Sequence, residues 1–230
     1  MRAIRTHAWD VSPSEAVTIQ KELRARLRAD NCVGNVRTVA GVDVGLCKGI
    51  ARAAIVVLGY PDLNPLEQAT AQRPVEFPYV PGLLTFREGP VILDALTKLT
   101  IEPDILIFDG QGMAHPRRMG LATHIGILLD HPTIGCAKSR LCGEYEEPEV
   151  SKGDWSHLLR KGEVIGAVVR TRANVSPVYV SIGHKVDLEH AIHYVLNCCK
   201  VYRLPETTRW AHRVAGGASI EGRGSGIPGR

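Results

Sequence analysis

Three acidic side chains stand where an acid is costly. Asp43 interrupts the alternating apolar run VAGVDVG, Asp109 ends ILIFDG, and Glu88 sits in TFREGP. An ionised carboxylate among apolar neighbours needs a cation or several hydrogen-bond donors. Taken singly, each has a plainer reading. Asp43 would bond its own loop near a strand end, and Asp109 would open an Asp-Gly turn. Glu88 would sit in the first turn of a helix, where the dipole favours it. Placed together they say more. A middle position on the first strand of a meander and the carboxyl end of the next parallel strand can be neighbours, while a helix start approaches from one side. Three gathered carboxylates call for a divalent ion, and oxygen ligands suit Mg²⁺, with Mn²⁺ as a substitute. Such a cluster activates water and steadies the attacking and leaving oxygens of phosphoryl transfer.

The elements that would position these groups follow from pattern. VSPSEAVTIQKELRARL opens with Ser12 as N-cap, Pro13 at the first helical position and Glu15 three after the cap. VRTVAGVDVG, ARAAIVVLGY and LEQATAQRPVEF are strand-like and separated by gaps too short for crossover helices, so three antiparallel strands are expected. The pattern then changes to alternation: helix in GPVILDALTKL, strand in DILIF, helix in PRRMGLATHIGILLD, strand in PTIGCA. Alternation implies parallel pairing. EVIGAVVRT and PVYVSIG form a further pair before the helices DLEHAIHYVLNCCK and PETTRWAHRVA. The reading is an α/β protein with one mixed sheet, covered by helices on both faces.

Composition limits the function classes. The chain has 230 residues, 28 basic and 24 acidic, for a net charge of +4, so attraction to nucleic acid must come from a local patch. No apolar stretch approaches the length of a membrane span and the start lacks a signal-peptide core, so a soluble, cytoplasmic protein is expected. The six cysteines show neither zinc-ligand pairs nor the density of a disulfide scaffold, and read as reduced. No linker or repeat divides residues 1–216, which read as a single domain. Residues 217–230 contain IEGR, the recognition string of a protease used to remove tags, and read as a disordered or tag-derived tail.

Longer blocks carry a resemblance. VAGVDVG, FPYVPGLLTFREGP, ILIFDGQGMAHPRRMGLATHIGILLD, TIGCAKSRL, VYVSIGHKVDLEHA and TRWAHRVA resemble, in order, the blocks of the endonuclease V family, the deoxyinosine 3′-endonucleases. The resemblance runs over about residues 36–215. It implies an RNase H-like fold and Mg²⁺-dependent nicking of DNA at the second phosphodiester bond 3′ to a deaminated adenine, leaving 3′-hydroxyl and 5′-phosphate. Some members also cut inosine-containing RNA. It implies a monomer acting on damaged DNA, with no membrane partner.

Residue by residue, the resemblance assigns metal binding to Asp43 and Asp109, the catalytic acid to Glu88, and a scissile-phosphate contact to Lys138. Without the surrounding block Lys138 would read as a solvated strand-end lysine. His212 falls where the family has a histidine or aspartate near the metal; a surface histidine is the plain alternative. Tyr79, stiffened between Pro78 and Pro81, corresponds to a wedge that fills the space of an extruded base. Otherwise it is a packing tyrosine in a turn. Gly82, Leu84, Gly110, Gly112 and Gly120 lie in motifs whose backbone could meet a hypoxanthine edge. His115 would contact phosphate or cap a helix at Pro116, and Arg117, Arg118 and Arg140 would meet phosphates unless simply solvated. Two positions depart from the family pattern: Gln111 stands where asparagine is common, and Cys136 where a small apolar residue is usual. The alternatives are a metal nuclease of this fold with another substrate, such as inosine RNA, and a non-catalytic nucleic-acid-binding domain.

Overall fold

The computed structural model describes residues 1–220. Most of the expected tail, 221–230, lies outside the described residues. Residues 217–220 do not separate from the body of the protein: Ile220 packs on the core and its N–H donates to Gln68 Oε1 at 2.9 Å.

Helix α1 (Pro13–Arg24) starts as its sequence indicates, with Glu15 Oε2 accepting from the Ser12 N–H at 2.8 Å. Strands β1 (Thr38–Cys47), β2 (Ile50–Gly59) and β3 (Pro65–Pro74) are the expected antiparallel meander. The β1–β2 turn places Lys48 and Gly49 both at positive φ, 49° and 77°, as a tight two-residue hairpin requires. Helix α2 (Leu84–Leu96), β4 (Ile105–Phe108), α3 (Leu121–Leu129) and β5 (Thr133–Ala137) supply the parallel half, with β4 pairing both β1 and β5.

Beyond β5 the sheet turns antiparallel again through β6 (Trp155–Arg160), β7 (Glu163–Val169) and β8 (Val178–His184). The order across the eight strands is β3-β2-β1-β4-β5-β8-β7-β6. Strand β6 has no sequence signature because it is an edge: only Leu158 on it is buried. Helices α4 (Leu188–Asn197) and α5 (Glu206–Ala215) cover one face of the sheet. Helices α2 and α3 cover the other, with α1 outside α3.

Two helix starts differ from expectation. Helix α2 begins five residues before Gly89, with Pro90 inside it. A proline ordinarily marks a helix start, but burial of Leu83 and Phe86 with Ala16 and Phe77 drives the turn before it into helix. Glu88 therefore lies in the second turn rather than at the dipole end. Helix α3 begins only at Leu121, because Pro116–Gly120 is irregular and Arg118 holds φ at 60°.

Candidate active site

Register brings the two aspartates together. Val42 of β1 pairs with Phe108 of β4, and the Asp109 N–H donates to the Val42 carbonyl at 3.0 Å. Asp43 and Asp109 are thus next in line on neighbouring parallel strands. Alternation also puts them on one face. Val39 of β1 and Ile105 and Ile107 of β4 belong to the core beneath α4 and α5, whereas Ala40, Val42 and Phe108 face α2 and α3.

Helix α5 delivers the third group. A Cβ on Gly41 would collide with the Thr207 carbonyl, so the helix start rests directly on β1, and at the other end Gly45 approaches Ala215. From Thr207 to Ala215 a helix rises about 12 Å, and from Gly41 to Gly45 a strand advances about 13 Å. The helix therefore runs along β1, with His212 above Asp43. His212 Nδ1 lies 2.8 Å from Asp43 Oδ2. One ligand atom from each of Asp43, Asp109 and His212 falls within 4.8 Å of the others. Two carboxylate oxygens and an imidazole nitrogen so placed suit a divalent ion.

Glu88 comes from α2 on the opposite face and is not among the three convergent groups, although it feels the charge of both aspartates. Burial first, then the negative charge of Asp43, push its carboxyl up to about 8. Burial likewise raises Asp109, against a hydrogen bond from Lys138 that lowers it. Lys138 Nζ stands 2.5 Å from Asp109 Oδ2, and its backbone carbonyl accepts from Arg203 at 2.7 Å. A carboxyl raised by burial and by the charge of two neighbouring aspartates marks a place that favours a dication. The residues present fit the ion.

Next to Asp109 opens a cavity of about 380 Å³. Tyr79, Gly82, Leu84, Gly110, His115 and Gly120 line it, together with Asp109 and Lys138. Tyr79 stands out at its mouth, 75% exposed. Gly112 does not line it. A Cβ there would collide with the Ile182 carbonyl, and its N–H donates to Ser181 Oγ at 2.9 Å, so this glycine serves packing against β8. The N–H groups of Gly110 and Gly120 are also used internally, on Phe108 and Gly112. Helix α2 has no side-chain cap, which leaves the first-turn donors at Leu84 and Thr85, both on the cavity wall.

Arg117 and Arg118 differ from expectation, and His115 takes a buried, local role, while Arg140 stays exposed on the cavity wall. His115 is 3% exposed and its Nε2 donates to the Gly82 carbonyl at 3.0 Å, which rules out a surface phosphate contact. Its Nδ1 accepts from the N–H groups of Arg117 and Met119, a pattern that needs the neutral ring. Burial, then the charge of Arg117, lower it to about 4. Arg117 donates to Gly82 O at 2.7 Å and to Gln20 Oε1 at 2.6 Å, and Arg118 pairs with Glu163. Both turn inward. Gln20, fully buried, adds a third donor to Gly82 O at 3.1 Å. The Gly82 carbonyl, at the end of the Tyr79 segment and at φ 80°, is thus fixed from three sides. Gln20 escaped the sequence reading, although its i,i+4 spacing from Ala16 places a polar group on the buried stripe of α1.

The comparisons agree with this geometry. The Endonuclease V family model matches residues 21–213. Endonuclease V of Trichormus variabilis is 53% identical over 218 residues, covering 94% of this chain and 99% of that protein. That of Methanothrix thermoacetophila is 55% identical over 212 residues, 92% and 94% of the two chains. The crystal structure of Endonuclease V from Streptomyces avermitilis superposes with a TM-score of 0.88 at 41% identity, covering 94% of this chain and 96% of that one. Ciona intestinalis Endonuclease V, crystallised with a 23mer DNA containing an inosine followed by a ribo-adenosine, gives 0.79 at 30% identity, covering 90% and 97%. The mixed sheet is the RNase H-like one, and by sequence and fold alike this chain belongs to the endonuclease V family.

Proposed function

We propose that this protein nicks DNA at the second phosphodiester bond 3′ to deoxyinosine, leaving 3′-hydroxyl and 5′-phosphate, with Asp43, Asp109 and His212 holding Mg²⁺, or Mn²⁺ in its place, and Glu88 completing the set from α2 when the ion is bound. What carries the reading is that Asp109, one member of the acid–histidine cluster, and Lys138 line a cavity fit for a planar base, with the rest of the cluster beside it. The bound ion supplies a lowered pKa for water and charge neutralisation at the phosphate. The chain's own residues do the rest. Asp43 and Asp109, fixed by strand register, hold the reacting phosphate's surroundings rigid. Lys138 offers its ammonium to the negative charge that develops on that phosphate. Before the ion binds, His212 Nδ1 meets Asp43 Oδ2 at 2.8 Å, which keeps both groups at the site. Tyr79, exposed and stiffened by its flanking prolines, takes the space left by the extruded base, whose unstacking costs a few kcal/mol and least at a mispaired lesion.

Inside the cavity the uncapped start of α2 presents N–H donors at Leu84 and Thr85 toward an acceptor such as O6 of hypoxanthine. Adenine has a donor there and is refused. Gly110, where a Cβ would meet nothing nearer than Leu121 at 3.7 Å, lets backbone approach the ring, while Gly82 and Gly120 shape the wall. The test is direct: with Mg²⁺ the protein nicks an inosine-containing duplex and leaves its undamaged counterpart whole, whereas equal cutting of both would refute lesion recognition. A parallel assay on inosine RNA decides which nucleic acid it prefers.

A further inference from the structure

A second concavity, of about 770 Å³, opens on the other side of the catalytic cluster. It includes Asp43, His212 and Lys138 but not Asp109, whereas the base cavity includes Asp109 and Lys138 but neither Asp43 nor His212. The two hollows therefore flank the cluster and meet at Lys138.

Its floor follows from strand alternation. Asp43, Gly45 and Cys47 share one face of β1, and register places Arg52 opposite Gly45 and Ile50 opposite Cys47. Gln72 on β3 continues the row beside Arg52. Gly45 has no side chain, so the floor is lowest next to Asp43. The end of α5, at Ala215 and Gly216, forms the wall. Ile50, 40% exposed, presents an aliphatic surface, and Lys48 and Arg52 stand along the rim. Neither cation forms an ion pair among the described residues, and Asp43 is the one acid lining this hollow.

We propose that this trough is the subsite for the strand on the 3′ side of the cut, an inference that rests on the function proposed above. With the base in one hollow and the reacting phosphate at the cluster between, the continuing strand must leave past Asp43. Lys48 and Arg52 meet its phosphates, and Ile50 meets a sugar or base. A third hollow, beside Tyr145, fits less well. It touches only Lys138 of the cluster, and its arginines are engaged: Arg170 with Glu147, Arg203 with the carbonyls of Lys138 and Pro177, and Arg140 with the Gly143 carbonyl and the Tyr145 ring.

The test is binding without divalent ion, over a salt series, to inosine strands that either end just past the cut or continue well beyond it. Lys48→Asn, which keeps a residue tolerant of positive φ, and Arg52→Gln should each lower the log–log salt slope by about 0.7 on the long strand. On the short strand both should match the parent. An unchanged slope on the long strand, or an equal fall on both strands, overturns the trough. The parent's preference for inosine over undamaged strands is read in the same series, so a failure of lesion recognition shows separately.

Discussion

Gly41 and Thr207 meet backbone to backbone, leaving no room for a Cβ between β1 and α5. His212 reaches Asp43 only because this contact is so close. Gly41→Ala must push the helix off the strand, and since the obstacle is main chain rather than a flexible side chain, we expect a loss near the upper end of overpacking, about 3 kcal/mol. Nicking should fall with it as His212 parts from Asp43. Gly45→Ala is the control, since its Cβ would meet the Ala215 carbonyl at an ordinary 3.5 Å. Thermal unfolding of the two variants checks this; equal melting temperatures would contradict it.

The ion-free cluster stores like charge, and that makes a stability prediction separable from activity. Mg²⁺ binding to the folded state should raise the melting temperature with its concentration, by linkage. In Asp109→Asn the rise should vanish, along with nicking. Glu88→Gln should cost little in chelator, because the acid it replaces is already pushed up to about 8 by burial and by Asp43. A calorimetric scan with and without Mg²⁺ measures each; a full Mg²⁺ rise in Asp109→Asn would exclude that residue as a ligand.

Three donors on the Gly82 carbonyl make α1 part of the recognition apparatus. Gln20→Leu keeps the volume but removes one donor and strands Arg117 Nε, which now points at Gln20 Oε1 from 2.6 Å. Loss of such a buried bond costs about 1–3 kcal/mol. We expect about a tenfold fall in kcat/KM on inosine strands, about 1.4 kcal/mol, carried mainly by KM, with Tyr79 and the cavity wall less well fixed. A fall in kcat alone would place the effect at the cluster instead.

The meander, the parallel β4 and β5 and the two aspartates were legible because strand alternation and Asp-Gly punctuation are local signals. The glycines of VAGVDVG were visible too, but their purpose was not: that Gly41 and Gly45 admit α5 depends on a helix some 165 residues later in the chain. Arg117 and Arg118 misled for the same reason. A sequence shows a pair of cations after a proline; only packing shows that Gln20, Gly82 and Glu163 hold them inward. Gly112 read as a base contact because small residues near an acid invite that reading, whereas β8 behind it claims both the space and the N–H.

Tyr79 is exposed and touches little beyond Arg87, whose guanidinium lies 5.8 Å from its ring. Tyr79→Ala should leave the free energy of unfolding within about 0.5 kcal/mol of the parent. Nicking of inosine in duplex DNA should drop, since the vacated space is no longer filled. Inosine in a single strand, with no stack to open, should be cut almost as before. Equal losses on both substrates would make Tyr79 a general contact rather than a wedge.

Acid should destabilise the fold through its buried histidines. His7 Nδ1 donates to the Ala8 carbonyl at 2.7 Å, so its Nε2 accepts from His124 Nε2–H at 2.8 Å, leaving His124 Nδ1 buried and without a partner. Burial, then the charge of His7, lower His124 to about 3; burial and Arg117 lower His115 to about 4, and burial lowers His7. These rings stay neutral when folded but take up protons when unfolded, below about 6.5. Stability is therefore intact above about 6.5 and lost as pH falls toward about 4, by up to about 1.4 kcal/mol per pH unit for each histidine. Glu88 works in the opposite direction in chelator: its raised carboxyl makes stability fall as pH climbs from about 4.5 to 8. A variant isolates the histidine. His124→Phe, among Trp9 and Phe86, keeps an aromatic ring in the cluster and removes one of these protons. Urea unfolding at pH 7.5 and 5.5 should show a smaller acid loss in the variant by about one proton's slope, and parallel losses would mean that His124 does not carry it.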